Sequence, residues 1–185
     1  TLRKLVEAER GAKGSREQKI AAARDRFYKG DIADELEKWY IAVGSFLRKK
    51  DLAAHRTPLE DPVTVSYRGY QVHKCGPWTQ GPYLCQTLSL LEGYNLKAMG
   101  HFSADYLHTV VEALKLSMAD RDEFYGDPKF VKVPLARLLS PGYARMRRSL
   151  IDPKRASLER RPGDPLAMRA LRGPLVASNR SYKIV

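Results

Sequence analysis

Residues 103–125 read SADYLHTVVEALKLSMADRDEFY and carry the strongest helical signal in the chain. Ser103 is a residue type that caps helix starts, and glycine and proline directly after Tyr125 end the pattern. Apolar side chains recur at spacings of three and four on one face, which we expect to be buried: Leu107, Val110, Val111, Leu114 and Met118. We expect Glu112 and Lys115 to be more exposed to solvent than this face. A chain organised around this helix is predicted to be mainly α.

Two more helices are predicted upstream of it. Ser15 and Gln18 form a capping-box pattern, and the helix that they begin continues to Gly30. Asp31 is expected to cap a second helix over residues 32–48. Its apolar positions, which we expect to face a core, are Ile32, Leu36, Trp39, Tyr40, Val43, Phe46 and Leu47.

The hydrophobic period changes in the middle of the chain. Apolar and polar residues alternate over residues 63–67 and again over residues 70–74, with Arg68-Gly69 between them, which predicts one short β-hairpin. Residues 82–92 and 141–151 are predicted to be helices, because each begins with a proline, which suits the first helical position. The fold class is therefore mainly α with one small β-hairpin at about residues 63–74.

Length and composition limit the classes of protein to consider. The chain has 185 residues, of which 43% are hydrophobic, enough for one core and a small appendage. No window approaches the roughly 18 uncharged apolar residues of a membrane span, and Thr1-Leu2-Arg3-Lys4-Leu5 lacks the apolar core of a signal peptide. The two cysteines, Cys75 and Cys85, match neither a disulfide framework nor a zinc motif, so both are expected to be buried thiols.

The net charge of +12 is concentrated at the end of the chain. Residues 136–185 hold 12 basic and 3 acidic side chains, interleaved with proline, glycine and small residues. Aromatic stacking partners for single-stranded nucleic acid are few there, which favours a basic segment lying against an acidic protein surface. We therefore expect one helical domain over residues 1–151 and an extended basic tail over residues 152–185.

Candidate catalytic and metal-binding groups are sparse. His108 and Glu112 lie four residues apart on the long helix, but a third ligand at a helical offset is absent, so no metal site is expected. Asp120 and its acidic neighbours are expected to form a solvated or salt-bridged helix end. Thr1 opens an amphipathic helix and not the buried strand that an N-terminal nucleophile requires. The residues alone predict no catalytic residue, no metal and no cofactor.

Several runs of residues nevertheless resemble, in order, the large-subunit signature of the γ-glutamyltranspeptidases. The runs include residues 88–96, Met99-Gly100, residues 103–108, 111–116, 119–122 and 125–128, Phe130-Val131, Val133-Pro134, residues 138–140, Tyr143-Ala144 and Arg147-Arg148. Upstream, residues 27–33, 51–56 and 67–70 resemble the same family, so the resemblance extends from about Thr1 to Asp152.

The resemblance implies that this chain is the C-terminal, mostly helical part of a large subunit. It implies an αββα N-terminal nucleophile hydrolase, made as a precursor that cleaves itself into large and small subunits. The nucleophile would be the threonine that begins the small subunit; it attacks the γ-glutamyl amide of glutathione or a related compound and forms an acyl-enzyme. The implied partners are that small subunit, the N-terminal part of the large subunit and a small-molecule γ-glutamyl substrate. The resemblance is compatible with a periplasmic or secreted enzyme whose signal region lies outside this chain.

Two segments depart from the family pattern. The family's Pro-rich loop ending in Ser-Ser-Gly-Gly is replaced here by residues 77–82, Pro-Trp-Thr-Gln-Gly-Pro. Trp78, Thr79, Gln80 and Gly81 are therefore the candidates to line a substrate site. Residues 10–26 look like an insertion.

Two other functions fit the same residues. One is a basic module that binds nucleic acid through residues 136–185, and the other is a catalytically inactive relative retained as a scaffold. The gene sequence after Val185 separates the enzyme from the basic module, because a threonine-rich continuation favours the enzyme.

Overall fold

The computed structural model describes residues 1–171 and places them in two compact units. The first unit is Thr1–Leu59, and the second begins at Glu60. The predicted division into a domain of residues 1–151 and a tail from residue 152 stays a prediction. Within the described residues the secondary structure is helical apart from one two-stranded hairpin, which confirms the predicted fold class at this level.

Four helices form the described first unit: α1 (Leu2–Gly11), α2 (Arg16–Tyr28), α3 (Asp31–Ala42) and α4 (Lys49–Ala54). The capping box predicted at the start of α2 is confirmed. Gln18 N donates to Ser15 Oγ (3.4 Å), and Ser15 N donates to Gln18 Oε1 (2.8 Å). The apparent insertion at residues 10–26 thus supplies the end of α1 and most of α2.

The prediction for α3 is wrong in its length and in most of its buried face. The helix is capped by Gly30, begins at Asp31 itself and ends at Ala42. Ile32 is buried, whereas Phe46 is 91% exposed. Trp39, Val43 and Leu47 are also exposed. An apolar spacing can only show that side chains share a face; it does not show what covers that face.

The second unit begins with the predicted hairpin, which is confirmed. Strands β1 (Val63–Tyr67) and β2 (Tyr70–Lys74) pair antiparallel, with Val65 opposite Val72. The two turn residues have positive φ angles, 52° at Arg68 and 84° at Gly69. Such a turn matches the twist of the strands and fixes their register.

The remaining elements of the described chain are helices: α5 (Gly81–Leu91), α6 (Leu96–Met99), α7 (Ala104–Phe124), α8 (Leu135–Leu138) and α9 (Pro141–Arg148). Helix α5 packs against the hairpin, α7 and α9. The central apolar cluster consists of Leu90, Leu91, Ala113, Leu116 and Ile151. The predicted serine caps are confirmed, because Ser103 Oγ accepts from Tyr106 N (3.1 Å) and Ser140 Oγ accepts from Tyr143 N (3.2 Å).

The prediction of which face of α7 is buried is wrong. Leu107, Val111 and Met118 are all more than 40% exposed, while Glu112 and Asp120 are buried. The helix turns this way because Glu112 and Asp120 find basic partners on later parts of the chain, as described below. Burying a charge is tolerable only when it is paired, and here the pairing fixes which side of the helix faces inward.

Residues 152–171 follow α9 without any helix or strand of their own. Backbone hydrogen bonds between Asp164 and Arg169 (3.0 and 2.9 Å) close a short loop. Gly163 and Pro165 are buried. The end of the predicted tail, Val185 included, lies outside the described residues.

Two further properties concern residues 1–171 as a whole. None of their helices combines the length and hydropathy that crossing a bilayer requires. Among the same residues, no group of three or more histidine, cysteine and carboxylate side chains is arranged to hold a metal ion.

The prediction that both cysteines are buried is half wrong, since Cys85 is buried but Cys75 is exposed.

Candidate functional site

The loop that departs from the family pattern forms a compact turn directly before α5. Thr79 N and Thr79 Oγ1 both donate to the carbonyl oxygen of Gly76 (3.0 Å each). Gly81 N donates to Thr79 Oγ1 (3.0 Å). The Thr79 hydroxyl therefore closes the turn and satisfies one of the free N–H groups at the start of the helix.

Gly81 has a packing role. It is buried, and a Cβ atom at this position would lie 2.5 Å from the carbonyl oxygen of Cys75 and 2.9 Å from Lys74 Cβ. Only glycine allows the start of α5 to approach the end of β2 this closely. Of the four residues predicted to line a substrate site, Trp78, Thr79 and Gln80 line a cavity, and Gly81 is not among its lining residues.

The cavity has a volume of about 460 Å³ and lies between this loop and the C-terminal end of α7. The loop contributes Pro77 in addition to Trp78, Thr79 and Gln80. The other wall consists of Arg121, Asp122, Tyr125, Gly126 and Asp127. The contact between this second wall and the loop was not predicted from the sequence, because the two segments are about 40 residues apart in the chain.

The polar groups around the cavity hold one another in place. Arg121 Nη1 donates to Gln80 Oε1 (3.0 Å), and Arg121 Nη2 lies 2.8 Å from Asp122 Oδ1. Trp78 is 59% exposed, and its Nε1 donates to Glu60 Oε2 (2.9 Å). The two walls together offer an aromatic face and a positioned guanidinium, groups that bind a polar or anionic ligand.

Tyr125 connects the cavity wall to the interior. Burial, followed by the charge of Asp120, raises the pKa of its phenol well above the ordinary value, so the group stays neutral. Tyr125 Oη donates to Gln86 Oε1 (3.4 Å), and Gln86 Nε2 donates to Asp120 Oδ2 (2.6 Å).

Asp120 is the centre of a buried cluster that we call the Asp120 clasp, defined as Asp120, Gln86, Tyr143, Arg147 and Gly163. Oδ2 of Asp120 accepts from Gln86 Nε2 (2.6 Å) and Tyr143 Oη (3.0 Å). Oδ1 accepts from the backbone N of Gly163 (2.7 Å) and Arg147 Nη2 (3.2 Å). Asp120 and Arg147 are both fully buried, so the carboxylate exchanges all its contacts with water for contacts within the protein.

Burial is the largest influence on the pKa of Asp120 and raises it. The charge of Arg147 and the three neutral donors oppose this rise. Each carboxyl oxygen receives two donors, an arrangement that fits the charged form and leaves no acceptor for a carboxylic proton. Burial next to Asp120 also raises the pKa of Tyr143 well above its ordinary value, so this phenol remains a donor.

A second buried carboxylate, Glu112, lies two turns earlier on α7. Glu112 Oε2 accepts from Arg161 Nη2 (2.8 Å), and Oε1 accepts from the backbone N of Ser157 (3.1 Å) and from Lys115 Nζ. Burial alone would raise the pKa of Glu112, but these donors outweigh it and lower the pKa. The nearby His108 lies 2.7 Å from the carbonyl oxygen of Asp152 through Nε2. The two residues weighed as metal ligands therefore hold the segment after α9.

Most of these roles were not predicted from the sequence. Asp120 was predicted to be solvated or salt-bridged at a helix end; it is salt-bridged, and it is buried. Arg147, Arg161 and Gly163 were read as members of a basic, glycine-broken tail. Opposite charges on α7, on α9 and in the segment after α9 were the available signal, but the two pairs join residues 27 and 49 positions apart.

Comparison with known proteins identifies the class to which these features belong. The gamma-glutamyltranspeptidase family model matches residues 6–175. A glutathione hydrolase proenzyme of Pseudomonas sp. (strain A14) is 39% identical over 148 residues, which are 78% of this chain and 26% of that protein. The acylase ACY 1 proenzyme of Pseudomonas sp. (strain SE83) is 40% identical over 141 residues, 75% of this chain and 25% of that protein.

A solved structure agrees with this assignment. The crystal structure of Helicobacter pylori gamma-glutamyltranspeptidase superimposes with a TM-score of 0.72 at 29% identity, covering 86% of this chain and 44% of that one. The chain therefore belongs to the gamma-glutamyltranspeptidase family. It spans about a quarter of the length of the two curated relatives.

Proposed function

We propose that this chain is the C-terminal, helical part of the large subunit of an enzyme that transfers or hydrolyses γ-glutamyl groups. The observation that carries the proposal is the family match over residues 6–175, together with relatives that are named proenzymes. The acyl group passes through an ester on the N-terminal threonine of a small subunit, as the family resemblance implies. The complete enzyme adopts the αββα arrangement, with its sheets mostly outside this chain.

The chain alone has no catalytic activity in this proposal. Thr79 lines the cavity, and its Oγ1 is engaged with the backbone at Gly76 and Gly81. The cavity offers groups that bind and orient, and the nucleophile and oxyanion donors come from the small subunit.

We place the loop of Trp78, Thr79 and Gln80 beside the substrate. In its favour, the loop forms one wall of a cavity, and the other wall carries the guanidinium of Arg121 between Gln80 and Asp122. A guanidinium is suited to a carboxylate, and a γ-glutamyl donor such as glutathione carries carboxylates. The exposed ring of Trp78 supplies an apolar contact that the Ser-Ser-Gly-Gly loop of the family lacks.

Exposed apolar side chains on the second unit suggest where the rest of the enzyme binds. Leu84 on α5 and Leu107, Val111 and Met118 on α7 are all at least 39% exposed. The N-terminal part of the large subunit and the small subunit are the partners that we propose for this surface, because helices of an αββα fold cover sheets.

Arginines in the described part of residues 136–185 favour the enzyme over a nucleic-acid-binding module. Arg147 and Arg161 pair with buried carboxylates. Arg148 donates to the carbonyl oxygens of Leu90 (2.8 Å) and Ser89 (3.0 Å). Side chains engaged in this way cannot neutralise phosphates without dismantling the fold.

The test is to express the complete gene and to assay hydrolysis of a γ-glutamyl anilide. We expect two chains on a denaturing gel, turnover by the complete protein, and none by residues 1–185 alone. Absence of turnover by a complete, cleaved protein, or turnover by the isolated chain, contradicts the proposal.

The role of the loop is tested separately with Trp78→Ala. We expect kcat/KM to fall by about tenfold, which corresponds to about 1.4 kcal/mol of lost binding in the transition state. The matched control is Trp39→Ala, because Trp39 lies in the first unit and is also 59% exposed. Equal kcat/KM values for the two variants would remove the loop from the substrate site.

A further inference from the structure

The cavity between the loop and α7 brings together three kinds of group that bind small ligands. Arg121 supplies a positive charge, Asp122 and Asp127 supply negative charges, and Trp78 supplies an aromatic face. The volume of about 460 Å³ lies in the range of small-molecule sites, about 300–1,000 Å³. The groups that remain available to a ligand therefore indicate which molecules fit.

Arg121 keeps N–H groups for a ligand. Its Nη1 donates to Gln80 Oε1 (3.0 Å), its Nε donates to Asp122 Oδ1 (3.0 Å), and its Nη2 lies 2.8 Å from the same oxygen. A guanidinium has five N–H groups, so within residues 1–171 these contacts use at most three and leave two. They also hold the guanidinium in one orientation, and its planar shape suits a carboxylate that accepts from two N–H groups.

Asp127 is the carboxylate of the cavity that has no ion-pair partner within residues 1–171. Its Oδ1 accepts from the backbone N of Lys129 (2.9 Å), and the residue is exposed. Asp122, by contrast, is paired with Arg121. With one arginine against two aspartates, the lining carries a net negative charge, and a positively charged ligand group next to Asp127 would balance it.

Trp78 and Pro77 form the apolar side of the cavity. The indole is 59% exposed, and its position is fixed because Nε1 donates to Glu60 Oε2 (2.9 Å). An exposed, positioned ring favours a ligand with an apolar or aromatic part, since packing against the ring removes apolar surface from water. The γ-glutamyl group has charged ends on a short chain and offers no such part.

We propose that this cavity binds a zwitterionic amino acid or short peptide with an apolar side chain. The ligand carboxylate accepts from the two remaining N–H groups of Arg121, the ammonium group lies next to Asp127, and the side chain packs on Trp78. The inference rests on the proposed function for its role in the reaction: because the γ-glutamyl group lacks the apolar part, the ligand is the amine on the other side of the amide bond.

The experiment is a calorimetric titration of the complete protein with phenylalanine and three related compounds, without a γ-glutamyl donor, so that no turnover is involved. Phenylalaninamide lacks the carboxylate, N-acetylphenylalanine lacks the ammonium group, and alanine lacks the ring. Loss of a hydrogen bond to a charged group costs about tenfold in affinity, and loss of an aromatic contact costs about threefold. We expect phenylalanine to bind most tightly and the other compounds to bind more weakly by about these factors.

Three variants locate the binding in the cavity. In Arg121→Gln, phenylalanine and phenylalaninamide should bind equally, because the carboxylate has lost its partner. In Asp127→Asn, phenylalanine and N-acetylphenylalanine should bind equally, because the ammonium group has lost its partner. In Trp78→Ser, phenylalanine and alanine should bind equally.

The matched controls make the same changes at exposed residues outside this cavity: Arg145→Gln on α9, Asp105→Asn on α7 and Trp39→Ser in the first unit. Each control should keep the wild-type ranking of the four compounds. A ranking that the three cavity variants leave unaltered would show that the compounds bind elsewhere and would overturn the inference.

The wild-type protein also tests the inference without any variant, so the result does not depend on how a variant folds. Equal affinities for the four compounds, or no binding of phenylalanine, overturn the inference. A complete protein that turns over a γ-glutamyl anilide but does not bind phenylalanine leaves the proposed function intact. A protein that binds phenylalanine with the expected ranking but never turns over the anilide refutes the proposed function instead, so the two failures are distinguishable.

Discussion

Replacing Asp120 by Asn tests whether the buried charge pair stabilises the second unit. The substitution keeps the size of the side chain but removes the negative charge that faces Arg147 at 3.2 Å, and both groups are fully buried. It also places an amide NH2 where one carboxylate oxygen accepts two donors. The guanidinium of Arg147 keeps its three carbonyl partners but loses its counter-charge.

The expected cost is about 3–5 kcal/mol, the range for removing one partner of a buried ion pair. For a chain of this size, 1 kcal/mol corresponds to about 2–4 °C, so the melting temperature should fall by about 6–20 °C. The assay is urea and thermal unfolding followed by circular dichroism at neutral pH.

Asp122→Asn is the matched control. Asp122 lies two residues away on α7 and pairs with Arg121, but its side chain is 41% exposed. An exposed pair of this kind contributes less than about 1 kcal/mol. If the two variants lost the same stability, the conclusion that Asp120 is a charged, internally paired group would be wrong.

Three other expectations can be measured on the same protein. Leu116→Ala should lower the free energy of unfolding by about 2–5 kcal/mol, because the Leu116 side chain is 1% exposed in the core cluster. Val111→Ala should lower it by under about 1 kcal/mol, because Val111 is 48% exposed. The reverse order would show that the face of α7 predicted from the sequence is the buried one. The pKa of Glu112 is lower in the folded state, so its stabilising contribution is present above the ordinary carboxyl pKa and is lost as the pH falls through the lowered value. Acid titration of stability should therefore be shallower for Glu112→Gln than for the wild type, and parallel curves would contradict this. A thiol reagent should modify the exposed Cys75 in the native protein and the buried Cys85 only after unfolding, and prompt modification of both would show that Cys85 is accessible.

The features that the sequence predicted correctly depend on neighbouring residues. The three serine caps and the hairpin each involve residues within a few positions of one another. Their chemistry is complete in a short window: a hydroxyl three residues before a free N–H, or two turn residues that accept positive φ. Tertiary packing did not alter them.

The buried face of α7 was predicted wrongly, because a prediction from hydrophobic periodicity assumes that apolar residues face inward. Here Glu112 and Asp120 occupy the inner face, and their partners Arg161 and Arg147 come from later in the chain. A single helix window contains no information about these partners. The apolar stripe at Val111 and its neighbours remains at the surface of residues 1–171.

That the loop of Trp78, Thr79, Gln80 and Gly81 lines a substrate site stays a prediction. The departure from the family pattern directed attention to Trp78, Thr79 and Gln80, which do line the cavity. The facing wall, with Arg121 and Tyr125, was not predicted, because only the packing of α5 against α7 brings it to the loop. Gly81 was grouped with the lining residues, although its role is to permit close packing.

The Asp120 clasp has a consequence for how the second unit unfolds. Its four donors come from α5, from two positions on α9 and from the segment after it, so a partly docked segment leaves a buried charge or a buried N–H group without a partner. Such intermediate states are high in free energy, and docking of residues 157–163 is therefore cooperative with formation of the helical core. Amide hydrogen exchange at Gly163 should then follow the global opening of the unit, although this residue lies in a stretch without regular structure.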